Sequence, residues 1–420
     1  MLIIDGPVEL GGEVKVQGAK NSTLPLLAAA VICRGQTVLH NCPALSDVET
    51  AIRILEHLGY QCTREGSSLI VNNEMKCCEI PPDLMKGMRS SIVFLGALVS
   101  RCGEANLHFP GGCEIGLRPI DIHISSLKKL GVEIEESGGC LKCSAPNGIR
   151  GNYVSLPFPS VGATENLMLA AVCSKGTTVI SNAAREPEIS DLALYLNRCG
   201  GRIYGAGESC VIIDGVEELH GCEHTIMPDR IVTATYMAAA AVTGGDIVIH
   251  GVNNTHIMPM MSPFEESGCC VRQYGDTLNI MAPKRLNAIK HIRTMPYPGF
   301  PTDAQPIVMP MAVLGKGTSI LVENIFENRY KYAEELKHMG ANIRIEGKVA
   351  IVEGVEKLQG APVTSWDLRG GAALVIAALA AEGQSKIVGE EYIYRGYENL
   401  EETFTALGGK IKRIEDHQVL

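Results

Sequence analysis

Six times along this chain an apolar, mostly alanine-rich stretch runs into a glycine, and four times a β-branched strand plainly follows. The instances are 27–32 into 35–39, 94–99 into Gly103, 169–172 into 176–180, 237–242 into 245–249, 310–314 into 317–321, and 376–380 into Gly383. A second mark alternates with the first: a helix pattern stopping at a glycine, at Gly59, Gly131, Gly200, Gly268, Gly340 and Gly408. Glycine there fits the left-handed conformation that ends a helix. The two marks share a period of roughly 70 residues, longer than familiar solenoid repeats. Each repeat therefore holds two helices and three or four strands, and six repeats make two sets of three. Helices with so little polar face belong in an interior. The expected fold is α/β, with two similar domains, buried helices and outer sheets.

The domain change is placed near Pro228-Asp229. The first domain is 21–229, and the second is 1–20 with 230–420. The strand pattern 2–4 has no repeat of its own and is expected to pair with the second domain. Ligands would then lie between the two domains.

At 420 residues, 46% hydrophobic and 20% charged, the chain is too long for one ordinary core and too apolar to be disordered. A net charge of −10 argues against a general nucleic-acid surface, so any anionic ligand must be met by a few local cations. Fifteen cysteines follow a start, Met1-Leu2-Ile3-Ile4-Asp5, that has no basic leader. The expectation is a cytoplasmic protein with reduced thiols, no membrane insertion, no cofactor and no metal. Cys140-Leu-Lys-Cys143 lacks a second pair at zinc spacing.

Polar groups recur where each buried helix begins. Lys20-Asn21-Ser22-Thr23 follows a strand and a glycine, an anion-binding arrangement, although a solvated lysine beside a cap has the same pattern. Arg89 precedes the second helix, Ser160-Val161 the third, Asp229-Arg230 the fourth, Thr302-Asp303 the fifth and Asp367-Leu-Arg369 the sixth. Asp303, between prolines, is either a general base or a helix cap. Arg329 and Arg395 stand before the outer helices of the last two repeats and suit carboxylate or phosphate. Residues 110–119, Pro-Gly-Gly-Cys-Glu-Ile-Gly-Leu-Arg-Pro, are too rich in glycine and proline for a helix or central strand. They carry Cys113 and Arg118, and read as a lid over an anion or as a plain surface turn. Most other cysteines are expected in apolar or strand settings.

These residues resemble the bacterial UDP-N-acetylglucosamine 1-carboxyvinyltransferase family, from about Leu2 to Ile414. The most specific segments are Gly18-Ala-Lys-Asn21, the 110–119 loop, Asn182-Ala-Ala-Arg-Glu-Pro-Glu188, Phe300-Pro-Thr-Asp303, Phe326-Glu-Asn-Arg329 and Arg395-Gly-Tyr397. The sister family acting on shikimate 3-phosphate lacks the cysteine loop. The resemblance implies two inside-out α/β barrels of three repeats each. It also implies transfer of the enolpyruvyl group of phosphoenolpyruvate to the 3′-hydroxyl of UDP-N-acetylglucosamine, the first committed step of peptidoglycan synthesis. By position, Cys113 matches the protonating thiol and Asp303 the carboxylate near the sugar hydroxyl. Lys20, Arg118 and Arg395 match the cations on phosphoenolpyruvate, with Arg89, Arg329 and Arg369 in support. Asn21, Ser160, Val161, Thr302 and Ile325 match sugar-nucleotide contacts, joined by Glu186 and Arg118. A cysteine at 113 implies sensitivity to fosfomycin, an epoxide that alkylates it. The partners implied are the two substrates, with the chain a monomer or weak oligomer.

Two departures stand out. Leu156-Pro-Phe158-Pro replaces a stretch that often carries a basic residue, which removes one expected nucleotide contact. Gly370-Gly371 replaces a more usual Ala-Ser or Ala-Gly, which should loosen that helix start. Transfer to a different acceptor, or a catalytically silent sugar-nucleotide sensor, are the competing readings. Intact Lys20, Cys113, Asp303 and Arg395 weigh against the sensor.

Overall fold

The computed structural model describes residues 1–72, 75–111, 115–116 and 119–414. Each apolar stretch forms a helix buried along most of its length: α1 (Lys20–Ala30), α2 (Phe94–Cys102), α3 (Val161–Ala171), α4 (Arg230–Thr243), α5 (Gln305–Leu314) and α6 (Leu368–Ala380). Alanine and glycine keep these helices thin, so α4, α5 and α6 pack against one another, as α2 does against α1 and α3. A single 3₁₀ turn, Arg89–Val93, leads into α2.

The outer helices are Ser46–Leu58, Asp121–Lys129, Pro187–Arg198, Met261–Glu266, Lys331–His338 and Leu400–Ala406. The six glycines that mark their ends all have φ between 88° and 106°, a range that a residue with a Cβ enters only with strain. In the fourth repeat the glycine that ends the buried helix is Gly244 (φ 68°), one position before the expected Gly245.

Every repeat contributes to a four-stranded sheet. Its edge strand runs parallel to the strand after the buried helix, and the next two strands are antiparallel. In the first sheet, Glu223–Thr225 lies beside Thr37–His40, then come Ser68–Asn72 and Gln61–Glu65. The third repeat thus lends its last strand to the first and closes the set. The other set closes through the N-terminus. Gly11–Lys15 is the parallel edge beside Asp246–His250, and Leu2–Gly6 lies between Gly383–Val388 and Ile411–Arg413, as the expected pairing requires.

Among the described residues two compact units result: Met1–Gln17 with residues 228–414 and the Ile115–Gly116 step, and the repeats from Gly18 to Met227. The chain changes unit two or three residues earlier than the 20/21 and 229/230 expectation. Gly18 and Ala19 are held by the first three repeats: Ala19 N–H donates to Met227 O (2.8 Å), and a Cβ on Gly18 would lie 1.9 Å from Asn41 O. Asp229 N–H donates to Gln17 O (3.0 Å), and its side chain caps α4. Each unit buries its own continuous apolar core. Among the described residues no helix is long and apolar enough to cross a membrane.

Candidate active site

In the unit of repeats one to three, α1 starts at Lys20, whose Nζ lies 2.6 Å from Asp47 Oδ2 at the start of the outer helix. Both side chains are nearly buried, so the ammonium is not the solvated lysine that its position also allowed. Ser22, two positions on, donates to Asp191, which also meets His224 Nε2 at 2.9 Å. Asn21 is left exposed.

Arg89 donates through Nη1 to Pro110 O (3.3 Å) and Gly111 O (3.1 Å), holding the near end of the glycine-rich segment. Cys113 and Arg118 lie outside the described residues. Ser160 caps α3, its Oγ accepting from Ala163 N–H at 3.4 Å. The buried ring of His123 lies beneath this turn. A Cβ on Gly162 would come within 3.0 Å of it, and its Nδ1 meets Asn166 Nδ2 at 2.7 Å. Burial, and then the charge of Arg89, push the His123 imidazole down to about 4, so it stays neutral. One turn along α3, Glu165 is pushed well above the ordinary carboxylate range by burial and by Glu188 and Glu186. Glu186 stands at the N-terminus of its outer helix and accepts from Arg185 N–H.

In the other unit the starts of α4, α5 and α6 converge. Asp303 is not a cap: α5 begins at Gln305, and the carboxylate turns to two guanidiniums instead. Asp303 Oδ1 lies 2.7 Å from Arg329 Nη2, and Oδ2 lies 3.3 Å from Arg369 Nε. Both arginines are 2% exposed, whereas Asp303 keeps 27% of its side chain open. Arg329 also donates to Thr302 O, from Nη2 at 3.0 Å and Nε at 3.2 Å. Arg369 sits over the Tyr397 ring, 5.4 Å from its centroid. The Tyr397 hydroxyl is engaged with Thr235 Oγ1 at 2.8 Å. Arg369 Nη1 and Nη2 are buried beside that ring.

Arg395 is half-buried on the turn before the last outer helix. Gln17 clamps that turn, donating from Nε2 to Gly396 O (3.2 Å) and accepting at Oε1 from Glu398 N–H (2.9 Å). Asp367 caps α6 by accepting from Arg369 and Gly370 N–H, both at 3.0 Å. The expected loosening at Gly370-Gly371 needs correcting. A Cβ on Gly370 would come within 2.5 Å of Asp367 Oδ2 and 2.8 Å of Tyr332 Cβ, so the pair permits tight packing.

The sequence reading missed Asp47, His123, Gln17 and Glu323. The last is a carboxylate, 1% exposed, that collects hydrogen bonds from Thr302 and from the Ile325 and Phe326 N–H groups. The only available signal was proximity to motifs already singled out. Among the thiols, Cys210 and Cys270 lie on strands as expected, though exposed, whereas Cys102 is exposed at a helix end. Cys140 and Cys143 are three apart on one strand and so point to opposite faces. Among the described residues no group of three His, Cys, Asp or Glu is placed to hold a metal ion.

Comparison with known proteins adds a family. The family model described as EPSP synthase (3-phosphoshikimate 1-carboxyvinyltransferase) matches residues 4–404. A protein of Caldanaerobacter subterraneus subsp. tengcongensis, UDP-N-acetylglucosamine 1-carboxyvinyltransferase 2, is 51% identical over 98% of this chain and 99% of its own. UDP-N-acetylglucosamine 1-carboxyvinyltransferase 1 of Symbiobacterium thermophilum is 47% identical over 98% of this chain and 95% of its own. Among solved structures, the enolpyruvyl transferase NikO of Streptomyces tendae superposes with a TM-score of 0.89 at 24% identity, covering 98% of each chain. EPSP synthase of Acinetobacter baumannii does so at 0.75 and 17%, covering 98% of this chain and 100% of its own. At those identities the two structures speak to fold alone, and the fold is theirs.

Proposed function

The chain belongs to the UDP-N-acetylglucosamine 1-carboxyvinyltransferases of the EPSP synthase family, and from that premise we propose the reaction and the residues that carry it. The enolpyruvyl group of phosphoenolpyruvate moves to the 3′-hydroxyl of UDP-N-acetylglucosamine, and phosphate leaves, opening peptidoglycan synthesis. The hydroxyl oxygen bonds to C2 of phosphoenolpyruvate while C3 takes a proton. Loss of a proton from C3 and of phosphate from C2 then restores the double bond.

Asp303 receives the hydroxyl proton, and Cys113 supplies the proton to C3 and is the target of fosfomycin. Lys20, Arg118 and Arg395 hold phosphoenolpyruvate, with Arg89, Arg329 and Arg369 in support. Asn21, Ser160, Val161, Glu186, Thr302 and Ile325 contact the sugar nucleotide. The observation that carries this reading is a partly open Asp303 held between the buried guanidiniums of Arg329 and Arg369. A carboxylate base beside fixed cations is what the addition step needs.

Mass spectrometry after mixing the protein with both substrates tests it. The expected result is a carboxyvinyl increment on the sugar nucleotide with release of phosphate. In Asp303→Asn, turnover should drop by roughly 10²–10⁴, the usual range for losing a general base. Binding of the sugar nucleotide by the wild-type protein without product would overturn the reading in favour of a silent sensor.

A further inference from the structure

From the geometry around Glu323 we infer that this buried carboxylate is a positioning residue for the sugar-nucleotide contacts, acting through Thr302 and Ile325. The inference rests on the reading above, which gives those two residues to UDP-N-acetylglucosamine. Glu323 follows strand Thr318–Val322 directly and is 1% exposed. Its Oε2 accepts from Thr302 Oγ1 at 3.0 Å. Its Oε1 accepts from Ile325 N–H at 2.8 Å, Phe326 N–H at 3.1 Å and Thr294 Oγ1 at 3.0 Å. One carboxylate therefore ties the turn before α5 to the loop after the strand. The Phe326 ring in turn lies 5.8 Å from the Arg329 guanidinium that holds Asp303.

The repeats show that this arrangement is not needed to end the strand. In the first and third repeats the residue after the equivalent strand is a left-handed asparagine, Asn41 (φ 57°) and Asn182 (φ 55°). Asn41 Nδ2 donates to Ile226 O (3.1 Å), and Asn182 Nδ2 donates to Leu156 O (2.9 Å); each carbonyl follows the parallel edge strand. The fifth repeat makes the same bond, Asn324 Nδ2 to Thr294 O at 3.1 Å, but its asparagine comes one position later. Glu323 occupies the place where the other two repeats turn. A buried carboxylate in a slot that asparagine fills elsewhere is a cost to folding unless its acceptors are used. Here four donors use them, and two belong to proposed substrate contacts.

Steady-state kinetics of Glu323→Gln test the inference. The variant keeps the shape and one oxygen for the backbone N–H groups, but turns an amide toward Thr302. The expected result is a KM for UDP-N-acetylglucosamine raised on the order of tenfold, the worth of one hydrogen bond to a charged group. The KM for phosphoenolpyruvate and kcat should stay within about twofold, a margin well below that shift. An unchanged sugar-nucleotide KM, or a kcat loss with both KM values unchanged, would overturn it in favour of a merely structural carboxylate. If Glu323→Gln does not fold, Thr294→Val carries the test. It removes one donor to Oε1 and should raise the same KM about threefold, a partial loss of that hydrogen-bond worth; no change would overturn the inference. A wild-type protein that turns over beside an unaffected variant sinks this inference alone, whereas an inactive wild type sinks the functional reading as well.

Discussion

His123 shows how a single side chain can be legible as to element and illegible as to role. Its place in an amphipathic helix is plain from the sequence, but nothing there puts the ring beneath Gly162. Burial and the Arg89 charge lower its folded pKa to about 4, against an ordinary 6.5. Between those values the unfolded chain binds more protons, so the sign is definite. The contribution of this ring is at full value above about 6.5, falls as pH drops, and levels off below about 4. At ~1.4 kcal/mol per unit the gap is worth about 3 kcal/mol. Chemical denaturation at stepped pH should show this fall in the wild type and a shallower one in His123→Asn. Equal slopes would mean that the ring is not held neutral. Asp303 was legible as a carboxylate on a stiff turn; its choice of Arg329 and Arg369 over capping was not, because those partners lie 26 and 66 positions away.

At the scale of elements, local rules served well where the backbone makes a demand of its own. A helix end that needs positive φ needs glycine, and the six predicted ends have it. They failed at Gly370-Gly371, where helix propensity reads two glycines as weakness. By propensity, Gly370→Ala should stabilise α6 by about 1 kcal/mol. The space around it says the opposite, since the new methyl would meet Asp367 Oδ2 at 2.5 Å and Tyr332 Cβ at 2.8 Å. We expect a net loss of roughly 1–3 kcal/mol, the usual cost of overpacking, read as a lower thermal midpoint. A raised midpoint would show that the cap and Tyr332 can give way. Because the Asp367 carboxylate, accepting from the Arg369 and Gly370 N–H groups, fixes the first turn carrying Arg369, activity should fall along with stability.

For the whole molecule, the N-terminal residues matter more than their position suggests. Leu2–Gly6 is an interior strand, antiparallel to Gly383–Val388 on one side and Ile411–Arg413 on the other. Leu2 and Ile4 are fully buried in the core of that unit. Deleting residues 1–6 should strand two partner strands and abolish cooperative unfolding of the unit formed by the last three repeats, measured by calorimetry. The other unit, with its own core, should keep a separate transition. A single unchanged transition would refute the assignment of this strand. Repetition of apolar helix, glycine and strand was enough, unaided, to dictate the number of repeats, the buried helices and the sheet-bearing exterior, because periodicity and backbone conformation are local properties of a chain. Only tertiary structure decided that Lys20 rests on Asp47, that Asp303 lies between two buried arginines, and that Glu323 holds Thr302. Those pairings are chosen by which distant side chains share one desolvated space, and neighbours along the chain carry no record of that choice.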